Sequence, residues 1–201
     1  MRSVDKYLHV TMKRLLVALV TTLIFVTSPA IAQDRFGAEF RAGAHFATED
    51  VGEADLNTGF GTEFIVSYRF LPQFGLYAGF GYHRFTSDDT FGGDDVVLEE
   101  TGYTFGVQFE NLLPDRSFGY FLRAGGLLNH MEFDTESSDF STDHSLGWQV
   151  EVGPLFTFGN QWSIKPGIRY HSLSQDVDVA GTEFEVDLTY ISVGASVGWR
   201  F

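Results

Sequence analysis

The stretch YISVGASVGWRF, Tyr190 to Phe201, alternates without a break. Ile191, Val193, Ala195, Val197, Trp199 and Phe201 fall on one set of positions. Ser192, Gly194, Ser196, Gly198 and Arg200 fall on the other. A repeat of two is the mark of a strand, because successive side chains of an extended chain point to opposite faces. Terminal residues usually fray and are polar. This strand instead carries its apolar face, with two aromatics, to the last residue, as a strand does when it must pair along its whole length.

The same period recurs upstream. RFGAEFRAGAHFA (35–47) sets Phe36, Ala38, Phe40, Ala42, Ala44 and Phe46 against Arg35, Gly37, Glu39, Arg41, Gly43 and His45. TGFGTEFIVSYRF (58–70) repeats the pattern, and further segments lie near 74–85, 101–111, 118–132, 145–158, 162–173 and 187–201. The connectors alternate in length. LPQ (71–73), LLPDRS (112–117) and GNQ (159–161) are short, whereas 47–58, 86–100, 133–144 and 174–186 are long and polar.

One face of each strand is apolar, and the other carries Gly, Ser, Glu, Arg, Gln and His. A soluble sandwich would hide the apolar face inside. Lipid outside and a polar lumen inside account for both faces, and closure into a barrel satisfies every backbone group. The expected fold is all-β: an eight-stranded antiparallel up-and-down transmembrane β-barrel. Aromatics near strand ends fit interfacial girdles.

The first 32 residues read differently. Lys13 and Arg14 precede the apolar run Leu15 to Val26, and Ala30-Ile31-Ala32 follows. A basic start, a short apolar run and a small-residue site describe a secretory signal peptide. The run is too short to span about 30 Å of hydrocarbon. Residues 1–32 are expected to be that signal, with a possible start at Met12, and 33–201 the barrel. The 201-residue chain contains no cysteine, which excludes disulfides and thiolate metal sites.

YISVGASVGWRF resembles the C-terminal strand signal of bacterial outer-membrane barrels, and GLYAGFGYHRF (75–85) is similar to stretches in the small eight-stranded families: OmpA transmembrane domains, OmpX and opacity-type proteins. The resemblance implies the cell outer membrane of a Gram-negative-type bacterium. Outer-membrane lipid, lipopolysaccharide and the barrel assembly machinery are the implied partners, with Trp199 and Phe201 as the assembly signal.

Strand parity points Glu39, Glu63, Glu110 and Glu151 into the lumen with Arg41, Arg69, Arg123, Lys165, Arg169 and Arg200. A hairpin centred on Asn160 sets Glu151 opposite Arg169 and Gln149 opposite His171. It also sets Pro154 opposite Pro166, which should confine the ladder defect to one level. Eight strands leave a lumen that side chains just fill, and buried charges there must pair. The leading expectation is a structural or surface-interaction protein with a charge-paired, closed lumen. The alternative is a narrow ion-conducting pore.

After residue 32 the chain holds 26 Asp plus Glu against 9 Lys plus Arg, a formal net charge of −17. Twenty of the acids, Glu99 and Glu100 among them, lie in or beside the four long connectors, which contain no Lys or Arg. Such a rim disfavours nucleic acid and leaves divalent cations as possible ligands. DVDVAGTEFEVD (176–187) matches an EF-hand spacing at Asp176, Asp178, Gly181 and Asp187 but lacks the ligand at position 5.

No cofactor is expected. A third reading is a lipid A-modifying hydrolase: RYHSLSQ (169–175) resembles part of the lipid A deacylase motif. The spacing departs from that motif, and parity turns His171 inward and Ser172 and Ser174 outward. No catalytic residue is assigned, and the chain is not read as an enzyme.

Overall fold

The computed structural model describes residues 35–48, 56–87, 96–114, 117–134, 139–141, 144–159, 161–179 and 182–201. The expected signal peptide and connector residues 49–55, 88–95, 135–138, 142–143 and 180–181 lie outside the described residues.

Every regular element among the described residues is a strand: β1 (Phe36–Ala47), β2 (Gly59–Arg69), β3 (Phe74–Ser87), β4 (Val96–Leu112), β5 (Phe118–Asp134), β6 (Asp139–Ser141), β7 (Ser145–Phe158), β8 (Trp162–Val179) and β9 (Thr182–Arg200). All pairings are antiparallel. Neighbours in sequence pair, except that β6 and β7 each pair with β5, and β9 meets β1. The ring β1-β2-β3-β4-β5-β7-β8-β9 is a closed eight-stranded barrel. The last strand closes it. Gly37 pairs with Arg200, and Phe201 and Phe36 exchange backbone hydrogen bonds of 2.9 and 3.2 Å. This pairing is why the alternation at 190–201 does not fade.

The connectors depart from the expected lengths. The 133–144 segment includes β6, which pairs with β5 above β7, Phe133 opposite Phe140. The 174–186 segment is no loop. β8 and β9 continue as a ribbon to Val179 opposite Thr182. Alternating Asp, Val, Glu and Phe satisfy strand geometry there as well as they satisfy a polar loop. Asp178 stands in register with Glu183, Asp176 with Glu185, and Ser174 with Asp187. An EF-hand loop cannot form on such a ribbon. Another correction concerns the prolines. The β7–β8 ladder stops at Val152–Ile168 and resumes at Phe156–Ile164, a gap of more than one level. Neither Pro154 nor Pro166 has an N–H to donate. Each nonetheless keeps a partner on its other side, Pro154 with Tyr120 and Pro166 with Ala195.

The outer wall is apolar and aromatic. At the turn end Phe36, Tyr68, Phe74, Phe118, Phe158, Trp162, Trp199 and Phe201 are exposed; farther along stand Phe60, Tyr82, Tyr103, Trp148 and Tyr170. From Phe36 to Phe46 is ten residues. At about 3.3 Å per residue and a tilt of about 40°, that is roughly 25 Å of height, the thickness of the apolar band of an outer-membrane barrel. Gly159 takes φ +62° in the tight β7–β8 turn, a conformation open to glycine at no steric cost.

Candidate functional site

The inward face of the barrel is filled, and it is filled in tiers. In the tier nearest the turn end, Glu39 of β1 accepts from Arg123 Nη2 of β5 at 2.6 Å, Lys165 Nζ of β8 at 2.5 Å and Ser196 Oγ of β9 at 3.1 Å. Glu110 of β4 accepts from Lys165 at 2.6 Å and Arg200 at 2.5 Å, with Arg69 Nη2 at 3.5 Å. β1 and β5 stand on opposite sides of the ring, so Glu39 and Arg123 meet across the full lumen. Arg123 also donates to Gln108 and lies 5.5 Å from the centres of the Tyr77 and Phe121 rings.

The next tier centres on Glu151. Its two oxygens accept from Arg41 Nε at 2.9 Å and Arg169 Nη2 at 2.8 Å, and Arg123 Nη1 stands 3.6 Å away. Arg169 Nη1 reaches Glu63 at 2.6 Å, and Glu63 also accepts from Thr104. Eight charges are thus buried together: Glu39, Glu63, Glu110 and Glu151 with Arg41, Arg123, Lys165 and Arg169. Four of each sign leave the group neutral. Arg69 and Arg200 are half-buried at its lower edge. Arg169 stands opposite Glu151 in the β7–β8 register, but its other bond, to Glu63, crosses to β2.

Above these tiers the chemistry changes. His45, His83, His171 and Tyr190 are buried with Glu100 and Asn129. Tyr190 Oη donates to Glu100 Oε2 at 2.8 Å and lies 2.8 Å from His171 Nδ1 and 3.2 Å from His83 Nδ1. His83 Nδ1 stands 3.2 Å from Glu100, and Asn129 donates to the other carboxylate oxygen. Phe85, Leu98, Met131, Leu173 and Leu188 pack as an apolar layer against Tyr190.

This tier corrects one assignment. Glu100 does not belong to an acidic rim; it is fully buried. It shares parity with Glu110, ten residues on, and that parity was the available signal. The strands run farther inward-facing than the polar composition of 86–100 suggested. Tyr77, Phe121 and Tyr190 were also not singled out, because aromatics on an inward face look like packing until their partners are known.

Of the remaining candidates, Trp199 and Phe201 lie on the outer wall, their rings 4.9 Å apart. Asp187 is exposed, and the side chains of Asp176 and Asp178 lie outside the described residues. Among the described residues, no three His, Asp or Glu side chains are arranged to hold a metal ion. His171 points inward, while Ser172 and Ser174 turn away from it. A hydrogen bond between such a His and Ser is ruled out by their opposite faces.

The sequence matches the family described as "Outer membrane protein beta-barrel domain" over residues 17–201. No curated protein matches the chain. Among solved structures it is similar to Neisserial surface protein A (NspA), with a TM-score of 0.61 at 19% identity, covering 83% of this chain and 97% of that one. It is similar to the outer membrane protein W of E. coli, with a TM-score of 0.56 at 16% identity over 85% and 100% of the two chains. It is also similar to OprG from Pseudomonas aeruginosa, TM-score 0.52, 12% identity, 85% and 99% covered. At these identities the likeness is one of fold.

Proposed function

Because the chain belongs to the outer-membrane β-barrel family, and so is an outer-membrane protein, we propose that it serves as a non-enzymatic structural or surface-interaction barrel with its lumen closed by paired charges. Short turns face the periplasm in such barrels, and the start of β1 and the end of β9 lie at that same end. The acidic connectors then face outward, where their charge suits divalent cations, and through such cations the anionic lipopolysaccharide.

The observation that carries closure is the Glu39–Arg123 pair, 2.6 Å between side chains from opposite walls. Arg41–Glu151 and Arg169–Glu63 cross the same space one step higher. An ion entering from either end would meet a neutral network of paired charges. Purified barrel in planar bilayers is expected to give no stepwise current. Regular single-channel steps would replace this reading with the narrow pore.

The C-terminal strand carries a second expectation. Phe201 completes the β1–β9 seam and is proposed to be read by the assembly machinery. Deleting it should lower the folded outer-membrane amount while leaving export unchanged. Equal surface levels with and without Phe201 would remove that role.

A further inference from the structure

We propose that the mouth of the lumen at the turn end binds one phosphate group, held by Arg35, Arg69 and Arg200. The charges there do not balance. The eight buried members of the lower tiers are already neutral among themselves. Arg69 and Arg200 come in addition, and both reach the same atom, Glu110 Oε2, at 3.5 and 2.5 Å, while Lys165 holds Oε1 at 2.6 Å. One carboxylate thus carries three cations. Arg35 lines the same cleft, is exposed, and has no ion-pair partner among the described residues. Its carbonyl accepts from the Arg69 backbone N–H at 2.7 Å, so the two residues stand side by side. The lining holds two carboxylates, Glu39 and Glu110, and both belong to the neutral eight. Three positive charges are left over.

The mouth is also hollow. Gly37, Gly198, Ser67 and Ser163 line it, where the tiers above are filled by Arg and Glu. A Cβ at Gly37 would come within 2.7 Å of Ser67 Oγ, and one at Gly198 within 2.7 Å of Ser163 Oγ. The cleft takes up about 290 Å³ counted out to open solvent, and its inner end, about 10 Å³, has room for one water-sized group. The ligand is therefore a small group presented from outside, with one oxygen in the pit and the rest among the guanidinium groups. The two serine hydroxyls are further donors.

Phosphate fits that description. A phosphate monoester carries about −1.5 to −2 charge at pH 7 and three acceptor oxygens, and the guanidinium fork matches its geometry. A carboxylate brings less charge, and chloride brings no direction. Phe36 and Trp199 of the turn-end aromatic band also line the cleft, which sets its opening at headgroup depth. Free phosphate and the headgroup of a lipid phosphate monoester offer the same chemistry. The site lies below the closed tiers, so it stands whether or not the lumen conducts.

The test titrates the barrel, purified in a non-ionic detergent, with inorganic phosphate by calorimetry at constant ionic strength. One equivalent should bind saturably, and chloride should not reproduce the heat. Arg35→Gln and Arg69→Gln should each weaken binding about tenfold, the worth of one charge-assisted hydrogen bond. Arg84→Gln, at the loop end and 54% exposed, should leave binding unchanged. A short-chain phosphatidic acid then separates the sources. If it competes with inorganic phosphate in wild type and not in Arg35→Gln, the site takes a lipid headgroup; if it does not compete while phosphate binds, the site takes free phosphate. No saturable binding, or equal affinity in wild type, Arg35→Gln and Arg69→Gln, would overturn the proposal. Arg35 takes part in no ion pair among the described residues, so Arg35→Gln is expected to fold, and it decides alone if Arg69→Gln does not.

Discussion

Near the turn end, four buried carboxylates face four buried Arg and Lys side chains. Near the loop end, one carboxylate, Glu100, faces imidazoles, a phenol and an amide under a layer of Leu, Met and Phe. The same eight strands enclose both. The lower half is locked by charge: Glu39, Glu110 and Glu151 share several cations, and Glu63, against Arg169, is stranded if that partner goes. The upper half is held by hydrogen bonds to one carboxylate and by apolar packing, which tolerate loss better than a network of ion pairs. A buried charge left alone costs several kcal/mol, whereas a lost neutral hydrogen bond costs about 1 kcal/mol.

The comparison can be broken first at Arg169. Replacing it with Met strands Glu63, whose one guanidinium it supplies, while Glu151 keeps Arg41. The expected loss is about 3–5 kcal/mol of folding stability, measured by urea unfolding in lipid vesicles. A loss under about 1 kcal/mol would mean the lower half is not locked by charge.

Glu100→Gln probes the upper half. The amide can still accept from Tyr190 and Asn129, so the expected loss is smaller, about 1–3 kcal/mol. A loss matching that of Arg169→Met would erase the distinction between the halves.

Salt should separate both from the connectors. Buried pairs are screened little and exposed carboxylates strongly. Sodium chloride should raise the melting temperature of wild type and of both variants by the same small amount, if like-charge repulsion outside is its cause. A salt response abolished in Arg169→Met would place it in the lumen instead.

Much of this was legible in the sequence, for a definite reason. A period of two fixes the face of every residue once one face is known. Parity therefore placed Glu39, Arg41, Glu151 and Arg169 inward without any contact information, and the Asn160-centred hairpin set Glu151 against Arg169. Parity does not say which inward residues meet across the lumen, because that depends on stagger around the whole ring. Parity alone would allow Lys165 and Arg200 to stand beside Glu151. In the structure they sit with Glu110 a tier lower, and Arg41 and Arg123 stand beside Glu151. Glu100 was misplaced because an acid in a polar segment resembles a loop residue. Asp176 and Asp178 were misplaced because alternating acids and valines continue a strand as readily as they end one. β6 is three residues long, too short for its period to register.

A double-mutant cycle on Arg169 and Glu63 tests most directly the claim that the lower lumen is locked by mutual charge. Arg169→Met, Glu63→Gln and the double variant are unfolded in the same vesicles as wild type. The account predicts that the double variant loses less than Arg169→Met alone, with a coupling of about 2 kcal/mol or more, since no lone charge remains. A coupling near zero would mean the two side chains do not depend on each other, and that the lumen is closed by something other than its ion pairs.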